Sequence, residues 1–343
     1  MAEEKTVIDF LKKVSPGTAL REVIEDLIKA GDIGGLIVFD SPELQKIKTG
    51  GFEVDCDFTS QRLFELCKMD GAVIITPDLK KIIAANVLLT PDPSISSSET
   101  GTRHQAGERT AKQAKTLVIS ISERRKKTTL YFSNTRYILK NIEELIRKIS
   151  ANLQVLEKQR EIFKQIVNNL NLLELSDLVS VGDVCQAIQR AEIILQISES
   201  TKRDFIELGR EGDAMRIRYR ELLKDVGETE DRIIKDYSYQ TIEETKNQLV
   251  SLDFENLFDT DSTAEILFKK NQKQVSPKGY RFLSATSLTD EDITQLVEEF
   301  QTLIAIIEAN PDQLRLVLKT RPESIKQEIS TLREQILTGK EVF

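Results

Sequence analysis

The sequence is poor in the residues that build metal and redox sites. Its 343 residues include one histidine, three cysteines and no tryptophan. The cysteines, Cys56, Cys67 and Cys185, form no C-x-x-C pair, so we expect small reduced thiols in a cytoplasmic protein and no built-in zinc site. A Mg²⁺ or Mn²⁺ ion held by carboxylates and substrate phosphates stays open as a cofactor.

The chain also lacks long apolar runs and a basic surplus. No run approaches the roughly 18–20 apolar residues that cross a bilayer, and the start, MAEEKTVIDFLKKVSPGTALREV, has no apolar signal core. We therefore expect no membrane partner. The 48 basic and 56 acidic residues give a net charge of -8, so any contact with DNA must come from a local patch.

A chain of 343 residues is too long for one ordinary hydrophobic core, so its length predicts two or three globular domains. Residues 1–136 alternate helical and strand patterns: ALREVIEDLIKAGD is typical of a helix ending at Gly31, and TSQRLFELCKM of a helix capped by Thr59. GGLIVFD and DGAVIITPD are typical of buried strands, and TLVISIS and TTLYF of a hairpin turning at ERRKK. This pattern predicts an α/β domain with a central mixed sheet flanked by helices.

From Tyr137 onwards the sequence pattern is typical of helices. No glycine or proline occurs from there to Val181, and apolar residues recur at helical spacing, which predicts one long amphipathic helix or two separated by a slight break. Further helical segments complete an all-helical spacer over 137–275. A turn at SPKGY then opens a domain of short helices over 276–343.

One candidate phosphate site lies in SETGTRHQAGER. Thr102 followed by Gln105 fits a capping box, so we expect a helix to start at Thr102 with its free amides forming an anion site. Gly101 allows close approach of a ligand, and Arg103 can hold phosphate oxygens in a bidentate fork. The alternative is a capped surface helix with incidental charges, and this motif by itself does not decide between them.

Two weaker candidates accompany it. Asp70 stands between a helix and a buried strand and is followed by the small residues Gly71 and Ala72, so it could hold a divalent ion while a nucleotide lies against the backbone. The alternative is an ordinary Asp-Gly turn. Ser122 and Glu123 end a strand and could reach phosphate or metal, although alone they favour a plain hairpin turn.

Taken together, the three stretches resemble a known family. GGFEVDCDFTSQRLFELCKMDGAVI, ANVLLTPDPSISSSETGTRH and ERTAKQ look like the diadenylate cyclase domain of the bacterial DNA-integrity scanning family, and LELSDLVSVGDVCQAIQRAE is similar to its spacer. The resemblance implies condensation of two ATP molecules into cyclic di-AMP with Mg²⁺ or Mn²⁺.

The resemblance also implies roles for individual residues. Asp70 would bind the metal and help prepare the attacking 3′-hydroxyl, and His104 would donate to phosphate rather than act as a general base. The remaining residues that the resemblance implies in ATP binding, besides Asp70 and His104, are Gly71, Ala72, Leu88, Gly101, Thr102, Arg103, Gln105, Ser122 and Glu123. The family's second arginine is here Gln105, which keeps a donor but loses the charge. We expect weaker ATP binding rather than loss of activity; the alternative is a catalytically impaired scaffold that binds nucleotide or scans DNA.

Assembly and DNA binding are expected from the resemblance as well. Each subunit would hold one ATP, so two sites must face each other, as in the family's octamer. The tail SPKGYRFLSATSLTDEDITQLVEEF is similar to the family's helix-hairpin-helix domain, which favours branched DNA. The second hairpin has Lys319-Thr320-Arg321-Pro322 in place of its glycines, so Lys278, Lys319 and Arg321 are candidates for weak phosphate contacts.

Overall fold

A computed structural model describes residues 2–31, 33–269, 275–318 and 322–340 of the chain. They form two compact units, Met1–Ile149 with Lys202–Arg216 and Ser150–Thr201 with Ile217–Phe343. The division into three domains at residues 136 and 275 stays a prediction. None of the helices in the described ranges is long and apolar enough to span a membrane.

The first unit is built on a mixed eight-stranded sheet. Its strands are β1 (Gly35–Phe39), β2 (Lys48–Thr49), β3 (Phe52–Asp57), β4 (Ala72–Ile75), β5 (Lys81–Leu89), β6 (Val118–Ser122), β7 (Lys127–Phe132) and β8 (Thr135–Ile138). They lie in the order β2-β5-β4-β1-β6-β7-β8, with β3 also paired to β5. Among these pairs only β1 and β4 run parallel. The mixed sheet expected from the sequence is confirmed.

Helices cover both faces of this sheet. They are α1 (Ala2–Lys13), α2 (Ala19–Ala30), α3 (Ser60–Cys67) and α4 (Thr102–Ala114). β1 is buried along its whole length because Ile37 packs into the core beneath α2 and α3, while Leu36 and Val38 pack into a second core with α4. This burial on both faces explains why GGLIVFD shows no polar alternation.

Local signals in this unit match the structure. α2 ends at Gly31, whose φ of 85° suits glycine, and the side chain of Thr59 accepts from the Arg62 amide at the start of α3. β6 and β7 pair antiparallel with Ser122 opposite Lys127, so the hairpin is confirmed.

The rest of the chain is helical. The helices are α5 (Ile142–Leu175), α6 (Val181–Leu208), α7 (Asp213–Leu223), α8 (Val226–Tyr237), α9 (Ile242–Ser251), α10 (Phe254–Phe258), α11 (Thr260–Leu267), α12 (Tyr280–Leu283), α13 (Asp290–Phe300), α14 (Leu303–Glu308), α15 (Pro311–Val317) and α16 (Pro322–Leu337). α5 is one unbroken helix of 34 residues, which decides between the two sequence alternatives. The short helices predicted after SPKGY are confirmed, and Thr289 and Asn310 form capping boxes there.

Candidate active site

A cavity of about 850 Å³ opens at one edge of the sheet in the first unit. The strand register places it there: Gly35 at the start of β1 pairs with Ile121 near the end of β6, and Ala72 at the start of β4 pairs with Val87 near the end of β5. The beginnings of β1 and β4 and the ends of β5 and β6 therefore meet at the same edge. The start of α4 completes the wall of the cavity.

The first turn of α4 lines this cavity. Thr102, Arg103 and His104 all face it, and the amide of Gln105 is the first to find a helical acceptor, donating to the Gly101 carbonyl over 2.8 Å. The amides before it have no acceptor within the helix, and they form its positive end. The predicted start at Thr102 is confirmed. The predicted capping box is wrong, because Gly101 is the N-cap and no side chain caps the helix.

The same helix fastens the loop that leads into it. Four side chains of α4 bond to residues of this loop: Gln105 to Glu99 (2.7 Å), Glu108 to Ser97 (2.6 Å), Arg109 to Ile95 (2.8 Å) and Lys112 to Ser96 (2.8 Å). Gln105 is thus turned towards the loop, and it is not among the residues that line the cavity.

Positive charge concentrates at the cavity. The guanidinium of Arg103 lies against Gly34, where an added Cβ would stand 1.8 Å from Nη1. Arg124 and Arg125, in the turn between β6 and β7, also line the cavity. None of these three arginines forms an ion pair with a carboxylate in the part of the chain that the structure describes. They are therefore available to an anion such as a triphosphate.

His104 sits at the end of a hydrogen-bonded chain. Its Nδ1 lies 2.8 Å from the hydroxyl of Tyr131, which donates to Oε1 of Glu99 over 2.9 Å. Arg136 donates to the same oxygen over 2.6 Å. Burial opposes ionisation of Glu99, but the bonds from Arg136 and Tyr131 outweigh it and hold its pKa below the ordinary value. Burial lowers the pKa of His104, against the raising effect of Glu99, and nearby arginines lower it further.

The Asp-Gly-Ala turn also borders the cavity. Gly71 and Ala72 line it, whereas Asp70 is exposed and is not among the lining residues. Gly71 has a φ of 88°, and Ala72 is fully buried in the sheet. The small size of Gly71 is thus required by its close approach to β5, since an added Cβ would lie 2.9 Å from the Val87 carbonyl oxygen.

The other predicted ATP-binding residues are also brought to this cavity. Leu88, Gly101, Ser122 and Glu123 all line it. Leu88 is 61% exposed, a large exposed fraction for a leucine, and Ser122 is half-buried. Nine of the eleven predicted residues thus line one cavity, and Asp70 and Gln105 are not among its lining residues.

Similarity to known proteins agrees with this placement. Residues 24–136, which contain the whole lining, match the family described as DisA bacterial checkpoint controller nucleotide-binding, and residues 139–275 match the DisA bacterial checkpoint controller linker region. The chain is 37% identical over 344 residues to the DNA integrity scanning protein DisA of Clostridium botulinum (strain Alaska E43 / Type E3), covering 97% of each. It belongs to the DisA family. The DisA protein of Clostridium tetani (strain Massachusetts / E88) is 36% identical over 352 residues, covering 100% of this chain and 98% of the relative.

One solved structure also shows similarity. DacA from Staphylococcus aureus is 24% identical, with a TM-score of 0.28, over 41% of this chain and 91% of that chain.

Several contributors to this DisA-family site were missed by sequence reasoning. Glu99, Tyr131 and Arg136 were not singled out, because no local pattern links residues so far apart. Arg124 and Arg125 were read only as part of a hairpin turn, although the basic run ERRKK was a usable signal.

Of the three DNA candidates, only Lys278 lies within the described residues. Its ammonium donates to the carbonyls of Lys235 (3.1 Å) and Ser238 (3.2 Å) at the end of α8, and burial lowers its pKa. Lys278 therefore bonds to the C-terminal end of a helix, and its contact with DNA stays a prediction. Lys319 and Arg321 lie outside the described residues.

The structure offers no preformed cluster of metal ligands within its described ranges. Over the ranges that the structure describes, no three His, Cys, Asp or Glu side chains are grouped so as to hold an ion. The exposed carboxylate of Asp70 beside the cavity fits an ion such as Mg²⁺, which is bound by one or two carboxylates together with substrate phosphates and water.

Proposed function

We propose that this chain is a diadenylate cyclase that joins two ATP molecules into cyclic di-AMP and releases two pyrophosphates. The observation that supports it is the cavity itself. It brings the Asp-Gly-Ala turn and the first turn of α4 together within the segment that matches the family's nucleotide-binding domain.

Binding of the triphosphate would use the positive wall of the cavity. The free amides of Thr102 and Arg103 and the positive end of α4 favour phosphate oxygens. The guanidinium of Arg103 adds a bidentate donor, and Arg124 and Arg125 add charge from the turn between β6 and β7. Since phosphoryl transfer depends mainly on position and charge, these groups supply most of what the protein must contribute.

Asp70 would hold a Mg²⁺ or Mn²⁺ ion at the reacting phosphate, together with the phosphate oxygens themselves. Such an ion supplies neutralisation of the charge that develops on phosphate during transfer. Asp70 would also orient the 3′-hydroxyl. In each transfer the 3′-hydroxyl loses its proton to solvent and its oxygen forms a bond to the α-phosphorus. The bond from that phosphorus to the oxygen bridging to the β-phosphorus breaks, and pyrophosphate leaves.

Two chains would have to cooperate. One cavity holds one ATP, so each 3′-hydroxyl reaches the other α-phosphate only if two cavities face each other. We propose such a face-to-face pair within an octamer, with the exposed Leu88 at the rim as part of the contact. A monomer that kept full activity in light scattering combined with an activity assay would exclude this assembly.

The helices from residue 276 onwards would form a weak DNA-binding domain. Their support is the similarity to DisA over almost the whole chain. With Lys278 engaged inside the fold, Lys319 and Arg321 are the candidates for phosphate contacts. We expect weak, salt-sensitive binding with a preference for branched DNA.

The test of the catalytic proposal is mass detection of cyclic di-AMP after incubation with ATP and Mn²⁺. Asp70→Asn should lower the rate by a factor of about 100–1,000. Asp9→Asn, which changes an exposed carboxylate on α1, serves as the matched control and should not. No product from the unaltered chain at high protein concentration would overturn the proposal and favour a scaffold that binds nucleotide without turnover.

A further inference from the structure

The starting point is the buried carboxylate of Glu99. Its Oε1 accepts from Arg136 and from Tyr131, at 2.6 and 2.9 Å. An ionised carboxylate can only accept, so the single hydroxyl hydrogen of Tyr131 must point at Glu99. The tyrosine oxygen therefore has only lone pairs left for its other neighbour.

That neighbour is His104. Because the oxygen of Tyr131 can only accept along the 2.8 Å contact, Nδ1 of His104 must carry the hydrogen. In the neutral ring Nε2 is then a bare acceptor. Nε2 is buried and finds no hydrogen-bond partner among the residues that the structure describes. An unpaired buried acceptor costs free energy, which a ligand in the cavity can recover.

A triphosphate oxygen cannot pair with that nitrogen as it stands. Fully ionised phosphate oxygens only accept, and so does the bare Nε2. The contact becomes favourable when Nε2 gains a proton, because the imidazolium donates from both nitrogens and carries a charge.

The charged groups around the imidazole ring determine when Nε2 of His104 is protonated. Arg103, Arg125 and Arg136 are its cationic neighbours, Glu99 is the anionic one, and the phenol of Tyr131 lies between. Burial and then the arginines, opposed by Glu99, keep the pKa of His104 below its ordinary value. The ring is therefore neutral in the empty site at neutral pH, and the added charge of a triphosphate raises its pKa again.

We propose that Glu99 and Tyr131 are positioning residues that hold His104 with Nε2 free, so that binding of ATP takes up one proton from solvent at that atom. This rests on the proposed function only in naming ATP as the ligand. One N–H bond forms at Nε2, and the proton comes from water or buffer. Between the pKa values of the empty and the occupied site, the dissociation constant rises up to about tenfold for each pH unit.

The chain offers a direct test of the resting tautomer, since His104 is its only histidine. ¹⁵N-histidine labelling gives one imidazole, and its two nitrogen signals report which nitrogen is protonated. We expect Nδ1–H in the ligand-free protein and a shift towards Nε2–H in Tyr131→Phe. A ligand-free ring protonated at Nε2 overturns the proposal, whether or not the protein cyclises ATP.

The second test measures the proton. Calorimetric titration with 3′-deoxy-ATP, which lacks the attacking hydroxyl, is run at about pH 7.5, where the terminal phosphate is ionised. Buffers of different ionisation enthalpy then give the number of protons taken up. We expect uptake approaching one proton for the unaltered chain and markedly less for Tyr131→Phe, whose ring can meet phosphate as the neutral Nε2–H form.

The control is Tyr137→Phe. Tyr137 also donates to a carboxylate, that of Glu207 at 2.6 Å, and it is outside the cavity lining. It should keep the proton uptake of the unaltered chain. Binding of the nucleotide without proton uptake would refute the inference alone, whereas absence of binding would refute the proposed function and leave the tautomer measurement to decide the role of Tyr131.

Discussion

A Cβ atom added to Gly71 would lie 2.9 Å from the carbonyl oxygen of Val87. The same glycine has a φ of 88°, a conformation that other residues adopt only with strain. Gly101, which also lines the cavity, is different: its φ is −90°, and an added Cβ would meet nothing within 4 Å. Gly71 is therefore required by the packing of the sheet, whereas at Gly101 the protein leaves room for a side chain.

These two glycines allow a matched pair of variants. Gly71→Ala should lower the free energy of unfolding by about 1–3 kcal/mol, because it combines backbone strain with a clash against β5. Gly101→Ala should unfold like the unaltered chain, because an added Cβ meets no atom within 4 Å, but should bind ATP more weakly, because Gly101 lines the cavity. Thermal melts and ATP titration check both. Equal melting temperatures for Gly71→Ala and the unaltered chain would contradict the first expectation.

Replacing Gln105 with the arginine that the family has at this position should strengthen ATP binding. Its amide holds the loop through the Glu99 carbonyl, at 2.7 Å, and an arginine can keep that bond while adding a charge. We expect Gln105→Arg to lower KM for ATP by a factor of up to about ten with kcat unchanged. Gln105→Ala, the control, loses the bond and should lower stability by about 1 kcal/mol. An unchanged KM in the arginine variant would show that charge at this position does not reach the nucleotide.

Lysines and arginines of the C-terminal part should separate into structural and DNA-contacting groups. Lys278→Ala removes two bonds to the last carbonyls of α8 and should lower the melting temperature with little change in DNA affinity. The Lys319→Ala/Arg321→Ala double variant should do the opposite and reduce the salt slope of binding by up to about two. Fluorescence anisotropy with branched DNA at several salt concentrations measures this. Equal DNA affinity for the double variant and the unaltered chain would rule out both side chains as contacts.

The stability of the second compact unit, which contains Glu230, should depend on pH through the titration of that residue. This carboxyl is fully buried, and burial together with the neighbouring charge of Glu192 raises its pKa to about 8, although Lys246 lies 3.5 Å away. The folded protein thus binds a proton that an unfolded glutamate releases near pH 4, so this contribution to stability is lost as pH rises through about 8. Between about pH 6 and about pH 9, Glu230→Gln should lose less stability than the unaltered chain.

Urea titrations at the two pH values measure that difference. The exposed Glu228, on the same helix, supplies the control: Glu228→Gln should follow the unaltered chain. If Glu230→Gln lost stability with pH as steeply as the unaltered chain, Glu230 would not be the titrating group.

The elements themselves could be predicted because their signals are local. The end of α2 at Gly31 and the cap at Thr59 follow from residues within one or two turns of each other, whereas the pattern over α5 left one helix or two open. The buried strands follow from runs of apolar residues. Where a local rule competed with the tertiary structure it lost: Gln105 bonds to Glu99 instead of closing a capping box.

The sequence alone thus determined the type of the helices and strands with strong local signals, and its motifs indicated nine of the residues that line the cavity. Only the tertiary structure decided how His104 is held, since Tyr131 and Glu99 lie 27 and 32 residues from their partners in that chain of bonds. It also decided that Lys278 serves a helix end. The physical reason is that helix and strand periods depend on neighbours in sequence, whereas a hydrogen bond between distant residues depends on strand register and packing, which no local pattern contains.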